Sequence, residues 1–201
     1  MKTEKDELRE KYSEINRRNP FVRHNHIEVK EIERDRAVLQ LAIRPESRNV
    51  YGFVHGGAIY AMADNAAGCA TSTDGRSYVT QESDMHFLSN QAEGTVTAEA
   101  RVRHRGRTTV LVEVSVTGEE EKLLATGTFT FFCVEVQRQA AGTIRAIGRV
   151  VHRGRTIVLT HVDIVGADDT LLATGDLTYF CVDQNALERR MEESAHSGHA
   201  M

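Results

Sequence analysis

Cysteine is scarce in this chain, no apolar run approaches the length of a membrane span, and neither sign of charge dominates. The three cysteines, Cys69, Cys133 and Cys181, lack metal-type spacing and are too few for a disulfide framework, which fits a reducing compartment. They are expected in the core. Residues 1–7 have no apolar run behind a basic start, so no leader and no membrane association are expected, and the chain reads as cytoplasmic. A net charge of -4 and a pI near 6.1 argue against general nucleic-acid binding. With 201 residues, 40% of them hydrophobic and 27% charged, the chain is long enough for one good core and an appendage.

The organising stretch is residues 49–71. After Gly56 and Gly57 it reads as a helix of small and apolar residues on every side, the pattern of a core helix, and it stops before Asp74 and Gly75. Asp64 is the only charged residue between His55 and Asp74. An ionised carboxylate inside an apolar helix is costly unless it is paired or used, which makes it the first functional suspect.

Before that helix, Leu8, Tyr12 and Ile15 mark residues 5–18 as a short amphipathic helix ended by Asn19 and Pro20. Alternation predicts a hairpin of 26–33 and 37–43, turning at 33–36, and then a loop over 44–51. After the helix come four strand-like runs, 77–88, 95–103, 108–117 and 123–134, with turn residues between them. Val96, Ala98, Ala100 and Val102 alternate with Thr97, Glu99, Arg101 and Arg103, giving one buried and one wet face. The expected fold class is therefore α+β, a curved antiparallel β-sheet wrapped around a central helix.

The chain then repeats itself. Residues 94–135 align without gaps onto 142–183, an offset of 142 − 94 = 48, with roughly half the paired positions identical. This is a duplicated three-strand β-meander without a second central helix. Ile147 and Val151 stand where the first copy has Glu99 and Arg103, as if both faces of that strand were covered. The expected domains are 1–136, a main domain, then 137–183, a meander packed on or extending the same sheet, and 184–201, a short helix (184–193) and a disordered tail.

Amides at a helix start are unpaired and lie at the positive end of the helix dipole, so Gly56 can hold a carbonyl oxygen gaining negative charge, and Gly57 lets a substrate approach the backbone. Gly56 and Asp64 are eight residues apart, roughly 12 Å along a helix axis at about 1.5 Å per residue. A reacting carbonyl needs its partners within about 3 to 3.5 Å. If the two cooperate, they come from different subunits at a two-fold interface, so a catalytic reading predicts a homodimer.

Asn49, the run Val54-His55-Gly56-Gly57, Asp64, Thr80 on a following strand and the Arg105-Gly106-Arg107 turn resemble the hotdog-fold acyl-CoA thioesterases, in particular the PaaI-like (phenylacetyl-CoA thioesterase) group. The resemblance covers about residues 19–135. It implies a hotdog fold, dimers often paired into homotetramers, and hydrolysis of an acyl-CoA, with coenzyme A present only as part of the substrate and no metal. By position it implies Gly56 as the oxyanion donor and Asp64 as nucleophile or general base from the opposite subunit. Asn49 and His55 would line the thioester, and Thr80 would orient the water. Arg103, Arg105 and Arg107, part of a basic cluster, are candidates for the coenzyme A phosphates. Rival readings are a non-catalytic acyl-CoA binding or sensing module, a hotdog dehydratase or hydratase lacking a second acid or histidine on the helix, and a metal site at His24, His26, His196 and His199, which has no cysteine or acidic partners nearby.

Overall fold

The computed structural model describes residues 3–134 and 143–180. The expectations for Cys181, for the helix at 184–193, for the tail and for His196 and His199 lie outside them. The chain divides into two compact units, Met1–Val136 and Gln137–Met201.

The first unit opens with α1 (Glu4–Arg18), started by a Thr3 capping box with Asp6. Asn19 ends it and also starts α2 (Pro20–His24), a helix the sequence reading left out. The Asn19 side chain accepts from the Phe21 and Val22 amides, and Pro20 fills a first-turn position where no amide is needed. The hairpin β1 (Ile27–Glu33) and β2 (Arg36–Ala42) turns at Arg34 and Asp35, with Asp35 at φ 62°. The central helix α3 spans Gly56–Thr71. Then follow β3 (Tyr78–Phe87), β4 (Thr95–Arg105), β5 (Thr109–Thr117) and β6 (Leu123–Cys133). All pairings are antiparallel, in the order β1-β2-β4-β5-β6-β3, so β1 and β3 are the edges.

The alternation read from the sequence is the alternation of burial. Val96, Ala98 and Ala100 on β4, Val110, Val112, Val114 and Val116 on β5, and Phe129 and Phe131 on β6 turn inward and join Met62, Ala63, Ala66, Ala67 and Ala70 of α3 in one core. Fully burying a side chain such as Phe129 or Met62 contributes about 1.5–3 kcal/mol. The alanines let the sheet close around the helix at short range. In contrast to the all-round burial expected of α3, a stripe of Gly57, Tyr60, Ala61, Asp64, Asn65 and Gly68 is partly or fully exposed. Its small residues made the open side look apolar in sequence.

In the second unit, β7 (Arg145–Arg153), β8 (Ile157–Val165) and β9 (Leu171–Phe180) form a three-stranded antiparallel sheet. Its pairing follows that of β4, β5 and β6 at an offset of 48. Thr97 pairs with Thr117 and Arg145 with Val165, and the register shifts after Val102 and after Val116 recur after Val150 and after Ile164.

Candidate functional site

The loop before α3 is shaped by Asn49, whose side-chain oxygen accepts from the amides of Tyr51 at 3.0 Å and Phe53 at 3.2 Å. The Asn49 amide reaches the Phe53 carbonyl at 2.7 Å, and the His55 amide reaches the Ser47 carbonyl at 2.8 Å. These bonds fix the direction in which the chain enters the helix. His55 is the N-cap, with extended backbone and an Nδ1 that accepts from the Gly57 amide at 2.9 Å. In the neutral ring this leaves the proton on Nε2.

The first-turn amides are therefore unequal. Ala58 and Ile59 donate to the His55 carbonyl and Gly57 to the His55 ring. The Gly56 amide has no protein acceptor among the described residues. A Cβ at Gly57 would come within 3.0 Å of the His55 ring, so this glycine serves the cap. A Cβ at Gly56 would meet only the Phe87 ring, at an ordinary 3.6 Å.

One helical turn and two helical turns further on lie Tyr60 and Asp64. The Thr80 hydroxyl donates to Asp64 Oδ1 at 2.7 Å. Burial pushes the Asp64 carboxyl above its ordinary range, and the Thr80 hydrogen bond only partly offsets this. No lysine or arginine pairs with Asp64 among the described residues. Tyr60 shares a short hydrogen bond with Ser83, an arrangement the sequence reading missed. The recurrence of Gly56, Tyr60 and Asp64 every four residues was the available signal. Opposite them on β3 stand Phe87, Ser83 and Thr80, so helix and edge strand run antiparallel as three facing pairs.

The basic cluster separates into different roles. Arg105, expected to meet a phosphate, is turned inward: its Nε donates to Asp35 at 3.0 Å, and its Nη1 donates to the Thr71 carbonyl at 2.9 Å and to Asp74 at 2.6 Å. Its side chain is 15% exposed and that of Asp74 is 6% exposed. Burial alone would raise the Asp74 carboxyl, but hydrogen bonds from Tyr78 and Arg76, with the Arg105 charge, hold it at about 2. This reverses the expectation for Arg105. A half-buried bridge from the β1–β2 turn to the end of α3 engages Arg105 at Nε, Nη1 and Nη2. Arg103 pairs with Glu113 at 2.7 Å on the outer sheet face. Arg107 is exposed at the β4–β5 turn, where its carbonyl accepts from Arg76.

Among the described residues no group of three or more His, Cys, Asp or Glu is placed to hold a metal ion, and no helix is long and apolar enough to cross a membrane.

Residues 51–125 match the thioesterase superfamily. A 1,4-dihydroxy-2-naphthoyl-CoA hydrolase of Listeria monocytogenes is 34% identical over 107 residues, 52% of this chain and 87% of that protein. The acyl-coenzyme A thioesterase PaaI of Escherichia coli is 27% identical over 100 residues, 49% of this chain and 71% of its own length. A Streptococcus mutans protein solved bound to acetyl CoA is 30% identical with a TM-score of 0.53, covering 56% of this chain and 91% of that one.

Proposed function

The chain belongs to the thioesterase superfamily as a PaaI-like hotdog thioester hydrolase, and from this premise we propose that it hydrolyses acyl-CoA at a site shared by two subunits. The observation that carries the proposal is the separation of two tools on one helix. Gly56 offers an amide at the start of α3 that has no acceptor among the described residues. Asp64 offers a partly desolvated carboxylate two turns away, roughly 12 Å along the axis.

In this reading the thioester carbonyl oxygen sits on the Gly56 amide of one subunit, and Asp64 and Thr80 of its partner hold a water against the carbonyl carbon. Asp64 takes a proton as the water oxygen bonds to carbon, and the amide holds the oxyanion. The C–S bond then breaks, the carbonyl reforms, and the departing coenzyme A sulfur takes the proton from Asp64. Asn49 and His55 act by fixing the loop and the cap that aim the Gly56 amide. Arg103 and Arg107 are the remaining candidates for the coenzyme A phosphates. The open stripe of α3, beside the unpaired outer edge of β3, supports docking of a second copy as a homodimer, itself able to pair into a homotetramer. Residues 1–136 supply all of these groups, so the duplicated meander lies outside the chemistry. The scarcity of cysteine, with Cys69 and Cys133 free among the described residues, favours a cytoplasmic location.

Subunit mixing tests this. Asp64→Asn removes the base. Gly56→Pro removes the amide hydrogen at the first helical position, where proline is well tolerated, after a His55 at φ -67° and ψ 133°, a conformation proline accepts in its neighbour. Each variant alone should fold and lose about 10²- to 10³-fold in kcat. Dissociated, mixed in equal amounts and reassociated, they should recover about a quarter of wild-type activity, because half the dimers hold one intact site of two. Mixtures that stay inactive, or an active Asp64→Asn homodimer, would overturn the shared site. Acyl-CoA binding by wild type without thiol release from any acyl-CoA would instead favour a sensing role.

A further inference from the structure

The three pairs facing each other across α3 and β3 include one that the proposed chemistry does not use. Tyr60 lies midway between Gly56 and Asp64, about 6 Å along the helix from each. Its neighbours on the open side, Gly57, Ala61 and Gly68, have almost no side chain, so Tyr60 is the bulky group next to the acid on the side toward the helix start. It is held at two points. Its ring lies 5.8 Å from that of Phe129 at a tilt of 58°, and its hydroxyl is bonded to Ser83 on β3. It nevertheless remains 38% exposed. A large aromatic side chain that is anchored at both ends and still open on one face is a fixed wall.

We propose that Tyr60, restrained by Ser83 and Phe129, determines acyl specificity, admitting flat aromatic or short acyl groups and turning away long straight chains. This rests on the two-subunit reading, which puts the carbonyl beside Asp64 and so brings the acyl group against the next turn of α3. A planar acyl group stacks on the exposed ring face without moving it, an offset arrangement that aromatic pairs favour. A long chain has to displace the ring, break the bond to Ser83 and leave both hydroxyls to find new partners. Phe87, over Gly56, continues the same aromatic wall.

The test is thiol release by the full-length protein with benzoyl-CoA and decanoyl-CoA, comparing wild type, Tyr60→Phe, Tyr60→Ala and Ser83→Ala. Wild type should prefer benzoyl-CoA, and Tyr60→Ala should shift the ratio of kcat/KM values toward decanoyl-CoA by about tenfold, the scale of one aromatic contact. Tyr60→Phe and Ser83→Ala, which each cut the tether and keep the ring, should give equal, smaller shifts, and the double variant no more than either. A ratio unchanged in every variant, or an equal loss on both substrates, overturns the proposal. If Tyr60→Ala does not fold, the two tether variants decide by the same ratio. Asp64→Asn is run beside them: full turnover in that variant removes the shared-site reading, whereas a dead Asp64→Asn with unmoved ratios removes only the role of Tyr60.

Discussion

Asp64 carries a cost for being where it is. Burial raises its pKa above that of an ordinary aspartate, so the folded state holds its proton more tightly than the unfolded chain does. Its contribution to stability is therefore complete below about pH 4 and is lost as pH rises through the folded pKa. Asp64→Asn should accordingly melt at a higher temperature than wild type at pH 7, with the gap closing toward pH 4, as calorimetry across that range would read. Activity runs the other way. The base must be ionised, so kcat/KM should fall on acidification with a midpoint above the ordinary carboxylate range. Thr80→Val, by removing the hydrogen bond that holds the pKa down, should move that midpoint higher. A Thr80→Val profile identical to wild type would separate Thr80 from the acid.

The arginines make the same point about place and role. Removing Arg105 takes one of two cations from the partly buried Asp74, which keeps Arg76, and also unpairs Asp35 and the Thr71 carbonyl, a loss of about 1–3 kcal/mol. Arg105→Ala should therefore lower the urea midpoint and leave KM almost unchanged in whatever protein stays folded. Arg107→Ala should keep the midpoint and raise KM for acyl-CoA a few-fold, an effect that fades at high salt.

At the level of elements, α3 presents two sides built of similar small residues for different reasons. Ala66 is fully buried, and enlarging it to leucine should overpack the core by about 1–3 kcal/mol. Ala61 is on the partly exposed stripe, so Ala61→Leu should leave the subunit folded and weaken self-association instead. Circular dichroism melts and sedimentation, run on both variants, distinguish the two sides. An Ala61→Leu variant that melts and associates like wild type would show that the stripe is only surface. Strand β3 matters for a related reason. It supplies Thr80, Ser83 and Phe87 from one face while its outer edge stays unpaired, an open edge that natural sheets cover or blunt.

For the whole molecule, the two units bear differently on function. All the groups assigned to the chemistry lie in Met1–Val136. A chain ending at Val136 should therefore retain thiol-release activity and sensitivity to Asp64→Asn, and an insoluble or inactive product would show that the second meander is needed for a competent fold. The β7–β9 sheet keeps the register of its counterpart and has no α3 of its own in sequence, so it reproduces three strands of the scaffold without the central helix.

The central helix, the strand run after it, the inward set of residues and the repeat were legible in the sequence because each rests on local periodicity or direct identity. The partly buried position of Asp64 was foreshadowed too, since a lone acid in an apolar helix stands out without any structure. Spacing along the helix was enough to argue that Gly56 and Asp64 cannot serve one carbonyl from the same chain. What folding alone decided was who faces whom across the sheet. It turned Arg105 inward to Asp35 and Asp74, residues 70 and 31 positions away in the chain. It gave the Gly57 amide to His55 and left that of Gly56 open, and it set Tyr60 against Ser83. Such pairings depend on sheet order and on which side of a curved sheet the helix leaves uncovered, and those are properties of long-range closure that no window of sequence contains.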